Sequence, residues 1–266
     1  MVKDKGSEEF WRDFLTRGHS KERAGRGVFK LLPSDPRCRL CAAPFGGAGA
    51  FLMRAIGKRR SDKNPNWCGS CFDFMEKHHG GAEIECTLLF ADIRGSTTLA
   101  ESMAASDFRE LMDRFYDTGA TAVFDNDGIV DKFVGDELVA MFFPLLSGQR
   151  HAARGLDAAR ALLEATGHSD AAGPWVPLGA GLHTATAWVG AVGEGAHTTL
   201  TALGDAVNTT ARLAAAATAG EILVTTPAAE AAGLDEGLER RTLELRGKEE
   251  LVDIVALTVA PAIAVD

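Results

Sequence analysis

An acid at the mouth of an apolar strand is the first sign of chemistry in this chain. In "LLFADIRGSTT" (Leu88–Thr98), Leu88, Leu89, Phe90 and Ala91 read as buried strand and run straight into Asp92. Gly95, Ser96 and Thr97 follow as a turn entering a helix, where backbone N–H groups suit phosphate oxygens. A second acid, Asp136, sits at the tip of a predicted hairpin in "KFVGDEL". If that hairpin lies beside the first strand, the two carboxylates meet at one sheet edge and repel unless cations stand between them. Magnesium favours carboxylate oxygens together with phosphates, so the pair points to a nucleotide site. A plain turn explains either acid alone; the two together, each abutting an apolar strand, raise the metal reading beside it.

A second constellation lies nearer the start. "CRLC" (Cys38, Cys41) and "CGSC" (Cys68, Cys71) are separated by 26 residues. Each C-x2-C lets two thiolates grip one ion, and two such knuckles complete a tetrahedral shell. Zinc is the first expectation at these four cysteines, an iron–sulfur cluster the alternative, and free thiols the remainder. Cys86 stands alone in an apolar strand and reads as a small core residue.

The elements that must carry these groups follow from periodicity. "SEEFWRDFL" puts Phe10, Trp11, Phe14 and Leu15 on one helical face, with Ser7 as the expected cap. From Glu83 onward strands and helices alternate. "CTLLFADI", "GIVDKFV", "ELVAMFF", "LGAGLHTATAWVGAVG", "EILVTT", "ERRTLELR" and "LVDIVALTV" read as strands. "SDFRELMDRFYDTGATAVFDN", "QRHAARGLDAARALLEAT" and "DAVNTTARLAAAA" read as helices. The fold class is α/β with an antiparallel component, helices covering one sheet face.

Charge divides the chain in two. Residues 1–82 carry 16 Lys and Arg against 9 Asp and Glu, a surplus of +7, whereas residues 83–266 carry 12 against 28, or −16. A domain boundary is expected near "HHGGAEIE", with Gly80 and Gly81 as its hinge. The basic run Gly57–Lys63 has few aromatics near it, with Phe51 and Trp67 flanking it, so it reads as a solvated loop rather than a nucleic-acid footprint. The charged start lacks the apolar run of a signal peptide, and no stretch is apolar enough for a membrane helix. A cytoplasmic protein with no membrane partner is the expectation.

Five stretches, "LLFADIRGSTTLAE", "VDKFVGDELVAMF", "GLHTATAWVGAVG", "LTALGDAVNTTARL" and "LELRGKEELVDIVAL", together resemble in order and spacing the catalytic domain of class III nucleotidyl cyclases. The resemblance covers about residues 84–260 and implies a ferredoxin-like core in the catalytic domain, residues 83–266; the cysteine pairs and the charge division mark residues 1–82 as a separate four-cysteine domain for regulation or dimerisation. The resemblance also implies head-to-tail homodimers with the active sites at their interface. Asp92 and Asp136 match the aspartates that hold two Mg²⁺ or Mn²⁺ ions, Ile93 lending its backbone carbonyl. Lys132 and Thr201 match the base-reading positions, and Asn208 and Arg212 the pair that orients the ribose and stabilises the transition state. Arg246, in "LRGK", falls where a basic residue meets the terminal phosphates. Threonine at position 201, where the best-known members have aspartate, resembles a subgroup often responsive to bicarbonate. Ser96 and Ala185 depart from the usual phenylalanine and glycine.

The residue chemistry agrees. Lysine only donates, as adenine N1 requires, and a threonine hydroxyl accepts from the 6-amino group. The implied activity is conversion of ATP to 3′,5′-cyclic AMP and pyrophosphate, feeding a downstream cyclic-nucleotide receptor. Two alternatives stand beside it: a cyclase making cyclic GMP or a cyclic pyrimidine nucleotide, and a silent, metal-stapled interaction module.

Overall fold

The computed structural model describes residues 5–17, 20–32, 36–235, 237–244 and 251–259. In chain order the elements are α1 (Lys5–Thr16), α2 (Ser20–Leu31), α3 (Gly47–Ala55), α4 (Gly69–Lys77), β1 (Gly80–Ile93), α5 (Ser96–Ser102) and α6 (Ala105–Asp125). There follow β2 (Ile129–Val134), β3 (Glu137–Phe142), α7 (Pro144–Ser147), α8 (His151–Ala165), β4 (Leu178–Val192) and β5 (Thr199–Leu203). The last are α9 (Asp205–Ala216), β6 (Glu221–Thr225), α10 (Thr226–Ala232), β7 (Arg240–Leu243) and β8 (Val252–Thr258). They sort into two compact units. The first comprises residues 1–84 with 144–148 and 188–203, the second 85–143, 149–187 and 204–266.

The second unit is built on the sheet order β2-β3-β1-β4-β6-β8-β7. Its β1-α6-β2-β3-α8-β4 succession, with β1 between β3 and β4, is the ferredoxin-like arrangement, and the sheet is mixed: β4 pairs β6 in parallel while β1–β3, β2–β3, β6–β8 and β7–β8 are antiparallel. Side chains alternate across a strand, so Leu89, Ala91 and Ile93 of β1 join Leu138, Ala140 and Phe142 of β3 in one core with Phe115 of α6 and Leu156 and Leu162 of α8. Leu88 and Phe90, on the other face of β1, are buried as well, which explains its continuous apolar run.

In the first unit, Trp11 and Leu15 of α1 are fully buried, and the Trp11 indole donates to the His78 carbonyl at 3.0 Å, just past α4. Phe10, Phe14, Phe74 and His78 stack around that contact. The amphipathic face expected for α1 therefore packs within its own unit. Helix α1 begins at Lys5, so Ser7 lies inside it and is not its cap.

Gly80 and Gly81, expected to hinge, instead open strand β1. The reason is steric: a Cβ on Gly81 would lie 2.4 Å from the Val189 carbonyl oxygen and 2.6 Å from Gly190 Cα. Glycine is needed there for close backbone approach rather than for flexibility. Gly81→Ala is expected to destabilise the protein by about 2 kcal/mol or more through backbone displacement; urea unfolding measures the loss, and a change within about 0.5 kcal/mol contradicts the steric account.

Candidate active site and cysteine centre

Strand register brings the acids of the second unit together. In the β1–β3 ladder Asp92 pairs with Glu137, and the Ile93 N–H donates to the Asp136 carbonyl at 3.3 Å. Gly135, at φ 61°, makes the turn between β2 and β3 and is followed at once by Asp136. That places Asp136 near enough to Asp92 for its charge to raise the Asp92 pKa. Tyr116 of α6 braces the turn: its hydroxyl donates to the Gly135 carbonyl at 2.7 Å, and its ring stacks on Phe133 at 4.2 Å.

Crowding has an electrostatic cost. Burial pushes the Asp92 carboxyl up to about 6, Arg94 working against the rise and Asp136 adding to it. Burial, followed by the charges of Asp92 and Asp136, pushes Glu137 up to about 7. Asp92 and Asp136 thus bring carboxylate oxygens, the donors that hard divalent cations take, to one strand end, with the Glu137 charge nearby. Glu137 and Arg94 are absent from the sequence-derived site. Glu137 follows Asp136 directly, but only the pairing register reveals that it opposes Asp92.

The other expected groups occupy defined places. Gly95, at φ 69°, precedes α5, which starts at Ser96 and Thr97. Lys132 stands beside a bulge in β2, half-exposed, its ammonium 3.3 Å from the buried Asp131 carboxylate. Thr201 is buried on β5, paired with Gly190 in the first unit. On α9, Ala206, Thr209, Thr210, Leu213 and Ala214 face inward. Asn208 is exposed and Arg212 half-buried, four residues apart on the outward side. Arg246 lies outside the described residues.

In the first unit the Sγ atoms of Cys38, Cys41, Cys68 and Cys71 all lie within 4.8 Å of one another, with Cys41 and Cys68 3.6 Å apart. One backbone turn and one bridge between segments, Arg60 with Cys68, make this possible. The Ala42 N–H donates to the Cys38 carbonyl at 2.9 Å, with Ala42 at φ 62°, and the Gly69 N–H donates to the Arg59 carbonyl at 2.9 Å. The Cys68 N–H points at Cys38 Sγ at 3.3 Å. Hydrogen bonds from the other three thiols hold the Cys68 thiol far below its ordinary range. Burial opposes the charge on Lys58, yet the four cysteines hold its ammonium pKa above the usual value. Cys38 is also held low, whereas hydrogen bonds to the other thiols push Cys41 and Cys71 up, so negative charge gathers on part of the cluster with the Lys58 cation alongside.

The family model of the adenylate and guanylate cyclase catalytic domain matches residues 81–255, about two thirds of the chain. The chain belongs to this cyclase family. Adenylate cyclase 1 of Rhizobium meliloti (strain 1021) is 33% identical over 144 residues, 51% of this chain and 22% of that protein. The terminal-differentiation-specific adenylate cyclase of Dictyostelium discoideum is 30% identical over 177 residues, 63% of this chain and 8% of that one. The match therefore spans a minor part of these relatives. Among solved structures, the guanylyl cyclase Cya2 superposes with a TM-score of 0.61 at 23% identity, covering 70% of this chain and 98% of that one. The adenylyl cyclase CyaB from P. aeruginosa gives 0.58 at 24%, covering 66% and 94%. These likenesses establish the cyclase fold, four-cysteine segment aside. No described helix is long and apolar enough to cross a membrane.

The acid cluster predicts a pH signature. Asp92 and Glu137 keep their protons to higher pH folded than unfolded, so folded protein binds the extra protons between about pH 4 and pH 7. Their contribution to stability is present below that window and is lost as the pH rises through it. In metal-free protein, Glu137→Gln is expected to gain stability relative to wild type between pH 5 and pH 8, followed by thermal unfolding. A difference that is flat with pH contradicts the crowding.

Proposed function

We propose that the chain is an adenylate cyclase that converts ATP to 3′,5′-cyclic AMP and pyrophosphate as a homodimer, each active site shared by two copies. The observation that carries this reading is the side-by-side placement of Asp92 and Asp136 at the end of β1. Their carboxylates, with the Ile93 carbonyl, would hold two Mg²⁺ or Mn²⁺ ions, which supply positive charge that acidifies the 3′-hydroxyl and neutralises the triphosphate. The 3′-oxygen attacks the α-phosphorus in line; the bond to the pyrophosphate oxygen breaks, and the hydroxyl proton goes to solvent.

The remaining roles follow from donor chemistry. Arg212, permanently charged and forked, donates to the α-phosphate oxygens as charge grows there. Asn208, one helical turn before it, orients the ribose. Lys132 donates to adenine N1, its ammonium steadied by Asp131. The Thr201 hydroxyl accepts from the 6-amino group. Backbone N–H groups of Gly95, Ser96 and Thr97 serve phosphate oxygens, and Arg246 the terminal phosphates. A guanine reader would need an acceptor opposite N1, where this chain has Lys132.

At the cysteines we propose one zinc ion. Tetrahedral zinc at about 2.3 Å from each thiolate spaces the sulfurs about 3.8 Å apart, close to the 3.6 Å between Cys41 and Cys68. A disulfide needs about 2.05 Å. An iron–sulfur cluster, with irons and sulfides between the thiolates, would hold those on different irons farther apart than the 4.8 Å that encloses all four.

Mixing Asp92→Ala with Asn208→Ala is expected to restore activity absent from either alone, because the mixed dimer regains one intact site. Proven heterodimers without turnover overturn the shared site. Product analysis with all four nucleoside triphosphates is expected to give cyclic AMP first; cyclic GMP or a cyclic pyrimidine overturns the base assignment, and no product at all points to the silent module. Arg212→Ala is expected to lower kcat by about 10²- to 10³-fold. Elemental analysis of protein purified without oxygen should find one zinc per chain and no colour; iron with acid-labile sulfide contradicts the zinc assignment.

A further inference from the structure

Arg94 has no task in the catalytic scheme above, yet it is held on every side within the second unit. Its Nη2 forms an ion pair with Asp92 Oδ2, and its Nε donates to the Asp92 carbonyl at 3.3 Å. Its Nη1 reaches the end of α9, donating to the carbonyls of Ala215 at 3.0 Å and Ala217 at 3.4 Å. The Arg94 backbone N–H donates to the Pro177 carbonyl at 2.8 Å, fixing the point from which the side chain extends. Only 22% of that side chain is exposed. One guanidinium therefore serves two negative ends: a crowded carboxylate and the carbonyl end of a helix, where the backbone dipoles gather negative charge.

The carboxylate it grips is one that the proposed divalent cations would use. A guanidinium and a divalent ion at the same carboxylate oxygen repel at contact distance, so occupancy by one weakens the other. The other end of the guanidinium sits on the helix that carries Asn208 and Arg212.

We propose that Arg94 is the resident counter-ion of the acid cluster and a positioning residue: it competes with divalent cations for Asp92 and, through Ala215 and Ala217, links occupancy of the acids to helix α9. The inference rests on reading Asp92 and Asp136 as cation ligands. A guanidinium that merely fastened α9 would leave cation affinity unchanged when removed, which separates the two accounts.

The test is Mn²⁺ titration of the full chain without nucleotide, the free ion read by electron paramagnetic resonance. Wild type is compared with Asp136→Asn, Arg94→Met and Arg94→Lys. Arg94→Met, which removes the competing charge, is expected to bind Mn²⁺ roughly tenfold more tightly than wild type. Arg94→Lys keeps a charge but loses the fork and should bind close to wild type. Far-ultraviolet circular dichroism identifies the folded samples. Arg94→Met that is folded and binds Mn²⁺ no more tightly than wild type overturns the counter-ion role; if Arg94→Met does not fold, tighter binding by Arg94→Ala supports that role and unchanged binding overturns it. Wild type that binds no Mn²⁺, or Asp136→Asn that binds as wild type does, removes the ligand reading and this inference with it. Unchanged binding in folded Arg94→Met together with loss in Asp136→Asn removes this inference alone.

Discussion

Repulsion between carboxylates that the backbone will not let apart organises the second unit. Antiparallel pairing of β1 with β3 sets Asp92 opposite Glu137, and the turn at Gly135 delivers Asp136 beside them. Because side chains alternate, a slip of one residue would send Asp92 to the opposite face and place Leu88 and Leu89 in each other's roles. The apolar ladder from Leu89 to Phe142 fixes the register, and the register fixes the charges. Tyr116 holds the turn from the side, while Arg94 sets a positive charge against Asp92. Packing energy is thus spent on holding an unfavourable charge arrangement that favours cations, a common signature of a site shaped for function.

The first unit follows a different logic. Its helices are short, and its aromatic core gathers around Trp11 and Phe74. A turn after Cys38 and the Arg60–Cys68 bridge bring four sulfurs together, with the Lys58 ammonium nearby. A small unit with a modest core would gain stability from any metal that these sulfurs bind only in the folded arrangement. The Asn64 side chain donates to the Thr198 carbonyl at 3.3 Å, so the loop before Cys68 is tied to the segment that leads into β5 within the same unit.

What could be read from sequence was local. A strand that ends in an acid and a Gly-Asp turn declare themselves over a few residues, and so does paired C-x2-C spacing; Asp92, Asp136 and the four cysteines were visible on those grounds. The helical stripe of α1 was visible too, though not its start, because Lys5 and Gly6 gave no signal that the helix runs past Ser7. Glu137 and Arg94 were not visible as partners of Asp92, since their meeting depends on strand register and on the end of a helix more than 120 residues away. Gly80 and Gly81 read as a hinge because glycines in a loop look the same in composition as a glycine crowded by a neighbouring backbone, as Gly81 is, or one at positive φ opening a strand, as Gly80 is. Residues 188–203 belong to the first unit, where Gly81 lies against Val189 and Gly190 and Asn64 bonds Thr198, approaches that no local pattern announces.

Cys86 carries a practical consequence. It is wholly buried on β1, and desolvation pushes its thiol up to about 12. The thiolate is the reactive form, so this sulfur is silent at neutral pH while the chain stays folded. Alkylation, oxidation or mercurial titration of the native protein therefore reports on the four clustered sulfurs alone, and a fifth reacting equivalent marks unfolding of the strand that ends in Asp92.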